Sequence, residues 1–420
     1  MIVTRGPGRR RVSVPIYLMM NELALMEEAQ KVAASLFGLD RPVISRLLGG
    51  RVNESFLAVS EQGRFVLQRI NDFFQSPAPV LNLPERYQAA ATFSADTTVG
   101  DNWRSVFQAV AERSGLSRVP MPGIYPDLTG RWLASFPVDP KVSDSGSWRL
   151  TAFVEGRPAP KEPAGAREAS RLLGFFHRQL NLPLPLELKP LPDGDFTNQH
   201  LTTPRELERI YDDYRGHPQL DDIKPLIKRA AEATGGFLAR PDFLAVFTLR
   251  EVIIHGDPKA DNFLFSPDGR ALALLDWDSV GLGHVLIDLA ELLRSWAAFD
   301  EAGRPDVDCL AAAVEGYAES GLELSSDEVE MLPAVLRAIA LNLSRRYLVD
   351  ALAQVYFRWD RRSYPSLFDQ NRTRAEAMLT VAEQLMNLEI TLGRRLLESY
   401  RRGVESSLIH DGLPSVRMPI

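Results

Sequence analysis

The run His255-Gly256-Asp257-Pro258-Lys259-Ala260-Asp261-Asn262, followed one hairpin later by Asp276-Trp277-Asp278, restricts the possible folds of this chain more than any other feature. The apolar runs Val252-Ile253-Ile254, Phe263-Leu264-Phe265 and Leu272-Ala273-Leu274-Leu275 bracket it, and Pro267-Asp268-Gly269 supplies a tight turn between the last two. The pattern predicts a polar loop held between short strands. Asp257 and Asn262, five positions apart, can converge on one point, the carboxylate accepting the proton of a hydroxyl while the amide oxygen binds a metal. Asp276 would complete the cage, because magnesium takes hard oxygen ligands, keeps several waters, and needs few protein groups when phosphate oxygens also bind. Asp and Asn also cap ordinary turns. Capping alone does not account for the flanking strands and a third carboxylate at the end of the next one.

At 420 residues the chain exceeds what one hydrophobic core usually holds, so two lobes with a cleft are expected. Hydrophobic residues make up 45% and charged residues 25%, the balance of an ordinary folded, water-soluble protein. The net charge of −7, with no long basic face, argues against a nucleic acid as main partner. Cys309, the single cysteine, cannot form an internal disulfide and sits in a helical apolar pattern, which favours a buried thiol and a cytoplasmic setting. The basic opening with its short apolar patch is a poor secretion signal, since Pro15 breaks the patch and no small-residue cleavage site follows. Residues 1–20 read as a disordered arm, and no window reaches the length of apolar residues that a membrane span requires.

The first third is β-rich with one helix. SFLAVS and RFVLQRI, separated by EQG, predict a hairpin, residues 77–95 predict the helix, and RWLASFPV and WRLTAFV predict further strands. After Gly156 apolar residues recur at three- and four-residue spacing, and helices dominate apart from the strands around the catalytic run. The chain therefore divides into an arm (1–20), a β-rich part (21–155), a mainly helical part (156–410) and a tail (411–420).

VIIHGDPKADNFLF followed by LALLDWDSVGLGHVLIDLAELLRS resembles the aminoglycoside phosphotransferase and choline kinase superfamily, whose fold is similar to that of protein kinases. GRVNESFLAV, RFVLQRIN, WRLTAFVEG and RRYLVDALAQVYF resemble the N-acetylhexosamine 1-kinase branch in particular, so the likeness spans residues 45–385. It implies an α+β, protein-kinase-like two-lobe fold with a small β-rich N-lobe for nucleotide and a larger helical C-lobe for catalysis and acceptor. It also implies ATP and Mg2+ as cofactors and a small-molecule acceptor, a sugar phosphorylated at its anomeric hydroxyl. Carried onto this sequence, Asp257 is the catalytic base, and Asn262 and Asp276 are the metal ligands. Lys259 would neutralise charge on the transferring phosphoryl group, unless it is a solvated surface lysine. His255 would buttress the loop, and Asp288 would contact it from a helix start. Asp278 either supports the metal from behind or faces solvent.

In the β-rich part, Gly50, Asn53 and Ser55 lie in a glycine-containing loop before a strand, where backbone N–H groups can approach phosphates. Where a kinase would carry a lysine, this chain has Gln68-Arg69. Arg69 can bind phosphate bidentately, but alternation alone leaves open which of the two faces the cleft. Val154 and Glu155 close the β-rich part and are expected to form the hinge that pairs with the adenine edge. Arg346, Asp350 and Tyr356, with Tyr347 and Phe357, form an amphipathic cluster that suits a sugar's hydroxyls and ring face. Arg346 and Asp350 would equally make an ordinary helix ion pair. Other readings are a kinase of an aminoglycoside or aminoalcohol, a silent nucleotide-binding module, or a metal-dependent phosphohydrolase. Six histidines, none paired at ligand spacing, disfavour the last.

Overall fold

The structure, a computed structural model, describes residues 16–47, 53–70, 97–114, 119–136, 146–181, 188, 204–235, 237, 240, 241, 243, 252–320 and 322–410. Helix α1 (Ile16–Ser35) starts inside the stretch expected as a terminal arm. Residues 1–15, the tail 411–420 and the helix expected over 77–95 lie outside the described residues.

Strands β1 (Val43–Leu47), β2 (Glu54–Ser60) and β3 (Gly63–Arg69) form the expected antiparallel meander. Helix α2 (Thr97–Ser114) follows, in a stretch to which the sequence pattern assigned no element. Its signal was present, since Trp103, Val106 and Val110 recur at three- and four-residue spacing and all are buried. Strands β4 (Ile124–Tyr125), β5 (Ala134–Phe136) and β6 (Gly146–Ala152) complete one sheet in the order β1-β2-β3-β6-β4, with β5 also on β6.

One face of this sheet is apolar by strict alternation. Phe56 and Ala58 of β2, Phe65 and Leu67 of β3, and Trp148 and Leu150 of β6 bury themselves against Ala29, Val32 and Ala33 of α1. Truncating Phe56 to Ala would cost about 3–5 kcal/mol, because the sheet cannot collapse into the space left behind. The intervening residues, among them Ser55, Gln68 and Arg149, occupy the opposite face.

Residues 153–156 lead from β6 to β7 (Arg157–Pro158), which joins the second part of the molecule. Gly156 is required at this crossing, since a Cβ there would lie 2.8 Å from the Leu264 Cβ. Helices α3 (Pro163–Leu180), α4 (Pro204–Asp213) and α5 (Leu220–Thr234) come next. Four short strands, β8 (Val252–Ile254), β9 (Phe263–Phe265), β10 (Ala271–Leu274) and β11 (Gly281–Gly283), carry the polar loop between them. The order β10-β9-β7 makes one small sheet and β11-β8 another. Helices α6 (Val285–Trp296), α7 (Val307–Glu319), α8 (Ser326–Ala353) and α9 (Leu367–His410) complete the chain.

Around these strands and helices lies the larger core, which includes Phe176, Trp277, Trp296 and Tyr317. Cys309 is buried in α7, where burial pushes its thiol up to about 11 and leaves it unreactive. Among the described residues no helix is long and apolar enough to cross a membrane.

Candidate active site

The catalytic run is held from below by one buried carboxylate. Asp288, fully buried in the first turn of α6, accepts the backbone N–H of His255 at 2.6 Å and of Gly256 at 2.7 Å. Gly256 has φ +88°, a conformation that side chains other than glycine's rarely adopt. That turn points both amides at Asp288 and swings the chain outward at Asp257. His177 of α3 donates to the same carboxylate at 2.9 Å, and its other ring nitrogen contacts the Tyr317 hydroxyl at 2.7 Å. Burial alone would raise the Asp288 pKa, but the bonds from His177 and from the His255 amide, with the nearby histidines, hold it below the usual carboxylate value.

His255 has no proton to spare. Its Nδ1 accepts the Asp257 N–H at 3.2 Å, so Nε2 carries the hydrogen and donates to the Leu275 carbonyl at 2.9 Å. Burial lowers its pKa, and the Trp277 ring lies edge-on 4.6 Å away. The imidazole is a neutral spacer between the loop and the strand that follows it.

Asp257 stands at the loop's crest with its side chain 33% exposed, so a solute can reach it. Lys259 donates to its Oδ2. Burial would lower the Lys259 pKa, but the carboxylates of Asp257 and Asp276 raise it above the ordinary lysine value, so the side chain stays charged. The Lys259 side chain is 26% exposed and paired with Asp257. The loop returns through a short 3-10 turn, Ala260–Asn262, whose Ala260 N–H is tied to the Ser295 hydroxyl of α6.

Asn262 is buried and donates its amide N–H to the Asp257 carbonyl at 2.8 Å, which leaves its amide oxygen as an acceptor. Asp276 adopts a left-handed backbone, φ 64° and ψ 60°, rare for a non-glycine residue. Burial, with Asp278 adding to it, pushes the Asp276 carboxyl up to about 6, against the pull of Lys259 and Arg149. A carboxylate so disfavoured is one that a divalent cation would stabilise. Among the described residues no group of three or more His, Cys, Asp or Glu side chains forms a metal cage. The residues present fit a cation held by the Asn262 oxygen, the Asp276 carboxylate, phosphate oxygens and water.

The remaining expected residues are placed as follows. Gly50 lies outside the described residues, and Asn53 immediately precedes β2. Ser55 is on the sheet face towards the catalytic loop, where it accepts from the Gln68 amide at 3.2 Å. The face of β3 that the sequence left open is thereby decided. Gln68 faces the loop, while Arg69 shares the face of Phe65 and Leu67. Arg69 falls in the other set of the alternation from Gln68, because successive residues of an unbroken strand point to opposite sides. The cation that does arrive is one that the sequence pattern did not single out: Arg149 of β6, 4% exposed, pairs with Asp278, with Nη2 3.1 Å from Oδ2. Asp278 thus does not simply face solvent: its carboxylate is held by Arg149 and adds negative charge beside Asp276. Only the pairing of distant strands could have revealed this partner.

Val154 and Glu155 lie in the connection from β6 to β7, where Glu155 is exposed and 3.5 Å from Arg64. Arg346 and Asp350 make no helix ion pair. Arg346 donates to the Tyr356 hydroxyl and lies over the Tyr356 ring at 4.8 Å. Tyr356 raises its pKa, and Asp257 and Glu291 act in the same direction against burial, which places the guanidinium within electrostatic reach of Asp257. Asp350 turns elsewhere. Its carboxylate accepts the N–H groups of Val355 at 2.8 Å, Tyr356 at 2.7 Å and Phe357 at 3.0 Å, and the Asn371 amide at 2.9 Å. It shapes the loop that presents Tyr356 and has little capacity left for a ligand. The sequence pattern also missed Glu291 and Arg294, a charged pair of α6 next to this cluster.

The sequence matches the phosphotransferase enzyme family over residues 43–322. No curated protein matches it. Among solved structures, it is similar to an amicoumacin kinase in complex with AMP-PNP, Ca2+ and Ami, at 12% identity and TM-score 0.52, covering 86% of this chain and 96% of that one. A microcompartment-associated aminopropanol kinase matches at 16% identity and TM-score 0.54, covering 88% and 99%. An ethanolamine kinase of Plasmodium vivax matches at 12% identity and TM-score 0.54, covering 85% and 88%. At these identities the likeness establishes the fold, which is α+β and protein-kinase-like, with a small antiparallel sheet and a mainly helical remainder.

Proposed function

Because the chain belongs to the phosphotransferase enzyme family, we propose that it transfers the γ-phosphate of ATP to a hydroxyl of a small acceptor. The observation that carries this reading is the convergence of a reachable carboxylate, Asp257, with Lys259 and Asn262 of the same loop and with Asp276 from the turn after β10. Asp257 takes the proton of the acceptor hydroxyl as its oxygen forms a bond to the γ-phosphorus. The bond from that phosphorus to the β,γ-bridging oxygen breaks, and ADP carries away the electron pair. Lys259 supplies positive charge beside the transferring group. A magnesium ion held by Asn262 and Asp276 would neutralise phosphate charge and orient the nucleotide. In this reading residues 153–156, the link from β6 to β7, would meet the adenine edge with backbone groups.

For the acceptor we propose a neutral, hydroxyl-rich molecule, a hexose or N-acetylhexosamine phosphorylated at the anomeric hydroxyl. Arg346 with the rings of Tyr356 and Phe357, in electrostatic reach of Asp257, supports it, since a guanidinium donates to hydroxyls and an aromatic face stacks on a sugar ring. The similar aminopropanol and ethanolamine kinases suggest a cationic aminoalcohol as the second reading. Such an acceptor calls for free carboxylates or an aromatic cage. In this cluster Glu291 is engaged by Arg294, and Asp350 by backbone amides.

The deciding experiment is a screen of sugars, amino sugars, aminoalcohols and aminoglycosides for acceptor-dependent ADP formation. Phosphorus NMR of the product then separates an anomeric phosphate, which couples to the anomeric proton, from any other ester. Turnover of an aminoalcohol alone would replace the sugar reading. ADP formed without any acceptor would mark a hydrolase, and no ADP under any condition a silent nucleotide-binding module.

A further inference from the structure

We propose that Arg149 is the cation that meets the nucleotide's phosphate oxygens from the sheet side, in place of a β3 lysine, and that Asp278 and Gln68 hold it oriented for that task. The proposal rests on the nucleotide reading above and names the residue that performs part of it.

Position comes first. Arg149 pairs directly with Gln68 across β3 and β6, and Gln68 with Ser55 across β2 and β3. Residues opposite one another in an antiparallel pair share a face, and this face is the one opposite the apolar surface covered by α1. The three side chains form a row directed at the loop that bears Asp276. They are also linked: the Gln68 oxygen accepts from Arg149 Nη2 at 2.7 Å and Nε at 3.3 Å, and the Gln68 amide donates to Ser55 at 3.2 Å.

Orientation comes next. The two Arg149 Nη atoms grip the two oxygens of Asp278, and the Trp103 ring of α2 lies 5.1 Å from the guanidinium carbon. Of the five N–H bonds of a guanidinium, these contacts use four, and one on Nη1 remains. The Ser55 hydroxyl, which accepts from Gln68, likewise keeps its own hydrogen. Two donors therefore remain on the row that faces the catalytic loop.

The charge pattern requires this cation. Asp278 is two residues from Asp276, and Lys259 and Arg149 both act on the Asp276 carboxylate. A nucleotide tail set beside Asp257, Asp276 and Asp278 meets three carboxylates. Lys259 offsets that charge from the loop side and Arg149 from the sheet side. As a mere strut the pair would be a poor choice, since burying two charges costs more than packing apolar groups of equal volume. A planar fork clamped by a carboxylate is instead well suited to phosphate, because little further ordering is lost on binding.

The test is calorimetric titration of wild type, Arg149→Met and Arg149→Lys with magnesium and ATP, and separately with adenosine, which has no phosphate. For Arg149→Met the ATP affinity is expected to fall about tenfold to a hundredfold, with adenosine affinity unchanged. Arg149→Lys keeps the charge but loses the fork and should fall in between; should Arg149→Met fail to fold, this variant carries the test by the same comparison. ATP affinity equal to wild type in whichever variant folds, or a loss of the same factor for ATP and adenosine, overturns the proposal. A wild-type protein that binds neither ligand would sink the nucleotide reading itself, a result distinct from either of these.

Discussion

Asp288 and His177 meet in the interior at 2.9 Å, and the same Asp288 oxygen that receives the imidazole also receives the His255 amide. The catalytic turn is thus fastened to α3 as well as to α6, and through His177 to Tyr317 of α7.

Replacing His177 by Ala leaves a buried carboxylate short of one donor and the Tyr317 hydroxyl without its partner. Stability should fall by about 2–4 kcal/mol, and Tyr317→Phe, which deletes one neutral hydrogen bond, by about 1 kcal/mol. Urea denaturation measures both. Equal losses in the two variants would show that Asp288 does not depend on His177.

Asp257→Asn keeps the shape of the side chain but cannot take a proton. We expect kcat to fall by about a hundredfold to ten-thousandfold, with the Kd for ATP changed by less than about threefold. Single-turnover assays together with nucleotide titration read the two quantities. An active Asp257→Asn enzyme would remove the carboxylate from the mechanism.

Arg346 and Asp350 were paired by sequence spacing, but their contacts predict different phenotypes. Arg346→Ala should raise the acceptor KM about tenfold or more while leaving the ATP KM near its original value. Asp350→Ala should instead lower stability by about 2–4 kcal/mol, because three backbone amides and the Asn371 side chain lose their acceptor. Thermal unfolding and steady-state kinetics on both variants separate the roles. The reverse pattern would return Asp350 to the acceptor site.

Glu328 caps α8 through a reciprocal pair with Ser325, and its other oxygen lies 3.3 Å from His284 Nε2 at the start of α6. Burial opposes ionisation here, but the nearby His284 and the bonds with Ser325 prevail and hold its pKa at about 2. A carboxylate whose folded pKa is depressed stabilises the fold above its unfolded pKa of 4.5 and loses that contribution as pH falls from there towards 2. Glu328→Gln should therefore cost about 1 kcal/mol at neutral pH, after allowance for solvent screening, and unfold with a shallower pH dependence below 4.5. Denaturation curves between neutral pH and pH 3 check this; parallel acid slopes in the two proteins would count against it.

The sequence by itself determined the features that depend on neighbours along the chain. His255 to Asn262 forms its loop because the flanking apolar runs become β8 and β9, and Asp276 follows because the turn at Pro267-Asp268-Gly269 returns the chain as β10. The β2–β3 hairpin was legible for the same reason, as was the helical character beyond Gly156. Asp288 could be expected beneath the loop only through the family resemblance.

Tertiary structure decided which side chains from distant segments meet. Arg149 reaches Asp278 across 129 positions of sequence, a contact set by the register of β3 with β6 and by how the sheet sits over the catalytic loop. The same register placed Gln68 on the loop side and Arg69 on the α1 side, a distinction that period-2 alternation cannot make until a neighbouring strand shows which face is covered. Asp350 left its helical neighbour Arg346 because the chain turns sharply after α8, and three newly exposed amides lie nearer than a guanidinium already held by Tyr356. Local spacing records which groups can meet within one element, whereas burial and strand pairing choose among them only after distant segments have packed.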